Sequence, residues 1–361
     1  MIKLVHAADF HLDSPFESLP PDKARMRREE QRDDLFKLRD IVNSEDADIV
    51  LLAGDLFDSD NAFHDTTKLL EEVFASMNSR IFISPGNHDF YSPRSPYRAV
   101  EWPDNVHIFK TTRIECVELP ELGARVFGAG FISPSCSSPL LRDFKAGPDM
   151  INIMVLHGDT VAATDEYNPV SPEDIAFSGL NYLALGHIHK FSGILKSGDT
   201  CYAYPGCPSG RGFDEQGEKG VIVGTVSGSG ADLRFVPLGG RRYLTIERDY
   251  EALIEGRSSL PEGCENDIVR VILTGERDGH VKIDELEEKY GAKFFHLSFR
   301  DRTRERRDIW AAAREDTLKG TYMRLMHEAL EKAGSDGQRE LITIAARYGL
   351  AALENGEVPV L

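Results

Sequence analysis

Five short motifs constrain this 361-residue chain more than any other feature, because each closes a segment that reads as a β-strand. Asp9-Phe-His11 follows IKLVHAA, Gly54-Asp55 follows DIVLLA, and Gly86-Asn87-His88-Asp89 follows RIFISP. His157-Gly-Asp159 then follows INIMVL, and Gly186-His187-Ile-His189 follows YLAL. An open α/β sheet places its ligand site at the carboxyl ends of its strands. Together the five ends supply four carboxylates, an amide and five imidazoles, enough hard and borderline ligands for a two-metal centre. Singly, each motif is weak: a lone Asp-x-His is usually a surface pair, and Gly-Asp after a strand is usually a turn. Their succession at strand ends carries the inference.

The strand–helix alternation over the first 240 residues fits a layered fold. Strands are expected at Ile2–Ala7, Asp48–Ala53, Arg80–Ser84, Asn105–Phe109, Ala124–Ala129, Ile151–Leu156 and Tyr182–Leu185, with helices near Lys23–Asn43 and Asp65–Asn78. Cys201–Tyr204, Gly220–Val226 and Asp232–Leu238 read as strands without intervening helices, which favours an α/β/β/α sandwich over a doubly wound sheet. Gly239-Gly240 marks the boundary. Residues 241–307 form a small α+β unit, with strands at Arg242–Glu247, Asp267–Thr274 and Lys293–Phe299 and a helix at Lys282–Tyr290. Residues 308–361 read as helical, at Ile309–Ala313, Thr317–Ala333 and Gln338–Leu353.

Composition narrows the class. No stretch approaches the ~18 consecutive apolar residues of a membrane span, and the chain opens directly into a strand, so neither membrane nor export signal is expected. Five cysteines without C-x-x-C spacing read as reduced thiols in a cytoplasm. The net charge of −18 is the wrong sign for a protein that coats nucleic acid unaided. Residues 1–240 carry 22 basic and 36 acidic side chains, so most of the acidity lies with the five motifs, where divalent cations would offset part of it.

The set Asp9-Phe-His11, Gly54-Asp-Leu-Phe-Asp58, Gly86-Asn-His-Asp89, His157 and Gly186-His-Ile-His189 resembles the calcineurin-like metallophosphoesterases. The resemblance implies two divalent ions, typically manganese and sometimes iron or zinc. One would take Asp9, His11, Asp55 and His189; the other would take Asp55, Asn87, His157 and His187. Asp55 would bridge them. His88 stands outside the metal shell, either as a proton donor to the leaving oxygen or to the phosphate, or as a structural histidine bonding a loop carbonyl. Asp58 and Asp89 read as carboxylates that orient ligand histidines or loop amides, and Asp13 as a weaker case. His6 reads as a core histidine, His64 as a loop residue, and His107, His280, His296 and His327 show no metal spacing.

Three features resemble the DNA-repair exonuclease branch, the SbcD-like proteins, and most closely its bacterial YhaO-type subgroup: residues 6–16, residues 204–215, and the α+β unit where that branch carries a DNA-capping domain. One departure is Asp58, where eukaryotic and archaeal nucleases of the branch have histidine. What this implies is a DNA exonuclease or endonuclease subunit that dimerises and pairs with an SMC-like coiled-coil ATPase of the SbcC type. The amphipathic helices of Thr317–Leu353 either dock that ATPase or pack on their own domain. Arg211 either forks onto a phosphate or pairs with Asp214 or Glu215. Arg300, Arg302, Arg304, Arg306 and Arg307 either meet the DNA backbone or form a solvated face. The competing readings are a small-molecule phosphodiesterase or phosphatase, which the acidic surface favours, and a non-catalytic DNA-end scaffold, which the intact ligand set disfavours.

Overall fold

A computed structural model describes residues 1–59, 62–161, 166–306 and 308–355. The chain parts into two compact units. One comprises Met1–Ile246, Pro261–Val271 and Leu286–Ser298; the other comprises Glu247–Leu260, Ile272–Glu285 and Phe299–Leu361.

The strands of the first unit are β1 (Ile2–Ala7), β2 (Ile49–Leu52), β3 (Arg80–Ile83), β4 (Val106–Ile108), β5 (Glu115–Leu119), β6 (Ala124–Gly128), β7 (Ile151–His157), β8 (Tyr182–Gly186), β9 (Leu195–Ser197), β10 (Thr200–Ala203), β11 (Gly220–Ser227) and β12 (Gly230–Pro237). They form two sheets, in the orders β12-β11-β1-β2-β3-β4 and β5-β6-β7-β8-β10-β9. Strands β1 to β4 pair in parallel, as do β6, β7, β8 and β10. The flanking strands pair antiparallel.

Side-chain alternation sorts the apolar residues into three layers. On β1, Val5 and Ala7 pack with Leu35, Leu38 and Val42 of α1 (Pro21–Ser44) and with Leu70, Val73 and Phe74 of α2 (His64–Ala75). Ile2 and Leu4 of the same strand instead join Val126, Ile153, Val155 and Ala184 of the second sheet. The outer face of that sheet, Phe127, Met154, Leu156, Leu183 and Leu185, is closed by Ile175 of α3 (Pro172–Phe177) and by Leu141, Val170 and Leu180. The result is the expected α/β/β/α sandwich. Because both faces of β1, β2 and β3 are covered, those strands read as nearly continuous apolar runs.

Three elements escape the sequence reading. β5 (ECVEL) is a half-exposed edge strand whose apolar residues do not alternate with polar ones, β9 has three residues, and α3 has six. His64, expected in a loop, is the first residue of α2.

Beyond Gly240 lie β13 (Tyr243–Asp249), α4 (Tyr250–Ile254), β14 (Ile268–Thr274), β15 (Glu276–Arg277), α5 (Ile283–Tyr290), β16 (His296–Asp301) and β17 (Arg304–Glu305), with β13, β14 and β16 in one sheet. A 3-10 segment (Ile309–Arg314) leads to α6 (Leu318–Glu331) and α7 (Asp336–Asn355). These helices share a small core of Ala312, Met323, Ala346 and Leu350, flanked by Trp310 and Tyr322. No helix among the described residues is long and apolar enough to cross a membrane.

Candidate metal centre

The carboxyl ends of β1, β2 and β3 in one sheet, and of β7 and β8 in the other, deliver the motif residues to a common place. The turns that do so are tight. Asp9, His11, Asp55 and His187 all have left-handed φ, at 54°, 46°, 50° and 108°. Non-glycine residues adopt such values at a cost of order 1–3 kcal/mol, which functional sites tend to bear. Backbone bonds hold the turns: Asp9 N–H donates to Gly54 O at 3.0 Å, and His11 N–H to Asp55 O at 2.9 Å. Gly54 and Gly86 are required for the approach, since a Cβ on the first would enter the His157 ring and on the second the Asp55 carboxylate.

The donor and acceptor arrangement points to a cation. His157 Nδ1 lies 2.9 Å from the Ala53 carbonyl, so Nδ1 carries the proton and Nε2 is left as a lone-pair acceptor. That Nε2 faces Asn87 Oδ1 at 3.0 Å and Asp55 Oδ2 at 3.5 Å. His189 Nδ1 meets Glu215 Oε1 at 2.7 Å, and His11 Nδ1 lies 3.3 Å from Asp58 Oδ1. Their Nε2 atoms confront each other at 3.2 Å, with Asp55 Oδ2 3.7 Å from that of His11. With the tautomers that those Nδ1 partners favour, lone pairs from imidazoles, a carboxylate and an amide oxygen converge. A positive ion satisfies that arrangement, and carboxylate- or carbonyl-oriented histidines are the usual partners of one. Two of the acceptor groups that could hold an ion are Asp9, His11 and His189, and Asp9, Asp55 and His157; a third is His11, Asp58 and His88.

Electrostatics agrees. Burial lowers the pKa of His157, and lowers those of His11 and His187 to about 4, keeping the rings neutral as metal ligation requires. Burial, then the neighbouring Asp55, pushes Asp9 well above the ordinary carboxylate value. Burial would raise Asp55 as well, yet the His157, His11 and His88 rings around it outweigh that and hold it down. Two carboxylates crowded together in a buried site repel each other, and a cation between them would relieve that repulsion.

Other motif residues brace the centre. Asp89 accepts from Leu56 N (2.7 Å), Phe57 N (3.2 Å), Gly86 N (2.7 Å) and the Tyr97 hydroxyl (2.6 Å), so it ties the second motif to the third. Burial and then Asp55 raise its pKa to about 7. His187 receives its position from its own amide, which donates to both Asp9 oxygens at 3.1 Å, while its Nε2 lies 3.9 Å from Asp159 Oδ2. His88 is exposed; its amide donates to Asp55 Oδ1 at 2.9 Å and its Nδ1 faces Asp58 O at 3.1 Å. Asp13 joins Arg32, Thr66 and the Phe63 amide, away from any ligand histidine.

Arg211 joins this network. Its guanidinium reaches Asp58 Oδ1 at 2.7 Å and Glu215 Oε1 at 3.0 Å, and its amide donates to Glu215 Oε2 at 2.7 Å. Glu215, read from sequence only as a partner for that arginine, is also the carboxylate behind His189. Its spacing from the last motif, 26 residues on and within a glycine-rich loop, gives no local signal. Asn168, which donates to His157 O at 2.8 Å, carried none either. Arg300, Arg302, Arg304 and Arg306 are exposed in the second unit. Arg306 already pairs with Glu251, Asp278 and Glu276. Arg307 lies outside the described residues.

The family model for calcineurin-like phosphoesterases matches residues 2–191, a span that holds every candidate metal ligand. The chain belongs to that family. It is similar to the uncharacterized metallophosphoesterase YhaO of Bacillus subtilis (strain 168), with 30% identity over 235 residues, or 62% of this chain and 57% of that protein. It is also similar to the SbcD component of the SbcCD nuclease of the same organism, with 26% identity over 309 residues covering 73% of this chain and 76% of the relative. The corresponding SbcD protein of Staphylococcus epidermidis (strain ATCC 12228 / FDA PCI 1200) shows 26% identity over 294 residues, covering 71% and 75%. The match to YhaO therefore spans less than two thirds of that relative's length. The expected kinship with SbcD-like and YhaO-type proteins holds.

Proposed function

We propose that this phosphoesterase is the nuclease subunit of an SbcCD-like machine, hydrolysing DNA phosphodiester bonds with two divalent ions, manganese first among the candidates. The observation that carries the reading is the convergence of unprotonated acceptors from Asp55, Asn87, His11, His157 and His189. Asp9, His11, Asp55 and His189 would hold one ion; Asp55, Asn87, His157 and His187 would hold the other. Bound there, the ions supply Lewis acidity toward the phosphate and a nucleophilic water at neutral pH.

The chain's own residues do the rest. Glu215 accepts from Nδ1 of His189, and Asp58 Oδ1 stands 3.3 Å from Nδ1 of His11, so both carboxylates favour rings whose Nε2 atoms face inward. Asp89 keeps the loop of Asn87 and His88 against the loop of Asp55. Nδ1 of His88 donates to the Asp58 carbonyl, so its Nε2 carries a proton only in the imidazolium form, and in that form it would donate to a phosphate oxygen or to the departing oxygen. Arg211, with its fork engaged by two carboxylates, serves to place them rather than to grip substrate. Likeness to two SbcCD nuclease subunits supports a nucleic-acid substrate; the resemblance to the SbcD-like branch extends the proposal to an SMC-type ATPase partner, dimerisation and a cytoplasmic setting, with residues 241–307 as the candidate capping region.

The test is product analysis on end-labelled single- and double-stranded DNA with manganese, beside bis-p-nitrophenyl phosphate. Cleavage of both is expected. Hydrolysis of the small diester with intact DNA would replace the nuclease by a small-substrate phosphodiesterase.

A further inference from the structure

Arg27, on α1, is a fully buried guanidinium that takes no part in the chemistry above. Burying a charge costs several kcal/mol unless it is paired and hydrogen-bonded. Here Nη1 pairs with Glu30, whose other oxygen accepts from Arg241 Nε at 2.7 Å, and the group lies over the Phe16 ring at 5.3 Å. Its remaining end points into the loop that follows β10: Nη2 donates to Gly210 O at 3.0 Å and to Ser209 Oγ at 3.3 Å.

The next residue along that loop is Arg211. Through it, the loop fixes Glu215 behind His189 and Asp58 behind His11. The same loop also grips the backbone of His189, since Lys219 Nζ donates to His189 O at 2.9 Å and a Cβ on Gly206 would press on that oxygen. A guanidinium held rigidly on a helix thus anchors the segment that aims two candidate ligands. We propose that Arg27 is a positioning residue for the metal centre, acting through Ser209–Gly210 and Glu215. This rests on the metal-centre reading above.

The experiment compares Arg27→Lys, Ser209→Ala, Glu215→Gln and the Arg27→Lys/Glu215→Gln double variant. Readouts are manganese binding by calorimetry, kcat and KM on bis-p-nitrophenyl phosphate, and the rate of tryptic cleavage after Arg211 in chelator-treated protein. Arg27→Lys should weaken manganese binding roughly tenfold, within the range seen when a group behind a ligand is lost. It should also speed cleavage after Arg211. Ser209→Ala, which leaves no buried charge unpaired and so keeps the fold, should move both in the same direction by a smaller factor. Because Arg27 acts largely through Glu215, the double variant should lose less manganese affinity than the product of the two single losses. Wild-type manganese binding and wild-type cleavage in both Arg27→Lys and Ser209→Ala would overturn the proposal, and so would strictly multiplicative losses in the double variant. No manganese binding by the wild-type chain would overturn the metal-centre reading itself and this inference with it, a result distinct from either of those.

Discussion

Asp55 Oδ2 stands 3.5 Å from Nε2 of His157, and the same oxygen is 3.7 Å from Nε2 of His11. In the proposed assignment, this one carboxylate would serve both ions. Asp55→Asn should weaken binding of both ions and abolish hydrolysis. The metal-free variant should stay folded, because the change removes a negative charge beside Asp9 rather than a packing group. Metal analysis and thermal unfolding check this; two tightly bound ions with full activity would end the bridging role.

Gly86 lies against that carboxylate. A methyl group there would occupy the place of the Asp55 side chain, so Gly86→Ala should displace the ligand. Displacements of about 1 Å can cost on the order of 10² in rate. The expected outcome is a loss of that size in kcat/KM on a small diester, with metal binding weakened as well. Unchanged kinetics would mean that the Asp55 loop yields without consequence.

His88 touches the site through its amide and through its exposed ring, which lies edge-on to that of His11 with centroids 4.7 Å apart. His88→Ala should lower turnover by roughly 10²–10⁴ with metal content intact, and the defect should shrink on nitrophenyl esters, whose leaving groups need no proton. Equal losses on all esters, or loss of an ion, would assign the ring another task.

The convergence of the five motifs was legible because the candidate ligands are of few residue types at strand ends, and the apolar runs of β1, β2, β7 and β8 announce those ends. What stayed hidden comes from distant segments. Glu215 reaches His189 across 26 residues, Asn168 reaches the His157 carbonyl, and Arg27 reaches Gly210 across 183. No local periodicity records such contacts. The edge strand β5 was invisible for a different reason: it buries little, so its apolar residues Cys116, Val117 and Leu119 need keep no period of two.

His6 carries a pH prediction. It is fully buried in β1, with Nδ1 2.8 Å from the Tyr182 hydroxyl of the other sheet, and burial lowers its pKa from 6.5 to about 3. The folded value lies below the unfolded one, so between these limits the unfolded chain binds the extra proton. The stabilisation is present above pH 6.5 and is lost as the pH falls toward about 3. His6→Asn, which cannot titrate, should flatten the fall in stability of chelator-treated protein over this window, by up to about 1.4 kcal/mol per pH unit. Urea midpoints at about pH 7, 6 and 5 check it; parallel curves for variant and wild type would remove His6 from the account.

The C-terminal helices close their own small core around Met323, Ala346 and Leu350, yet leave Leu318, Leu325 and Leu341 at 74%, 60% and 68% exposure. Core residues turned inward and leucines turned outward on the same two helices suit helix-in-groove docking of a partner. Leu325→Glu with Leu341→Glu should change stability by no more than about 0.5 kcal/mol per site, as exposed substitutions do. It should leave small-diester hydrolysis intact, because the candidate ligands lie in the other unit. Co-purification with a co-expressed SMC-type ATPase should be lost, since an interface anchor is worth about 2 kcal/mol or more. Met323→Glu is the control, and should unfold the helical pair. If the double variant still captures the ATPase as well as the wild type does, the exposed leucines are not the docking face and the partner must engage another surface.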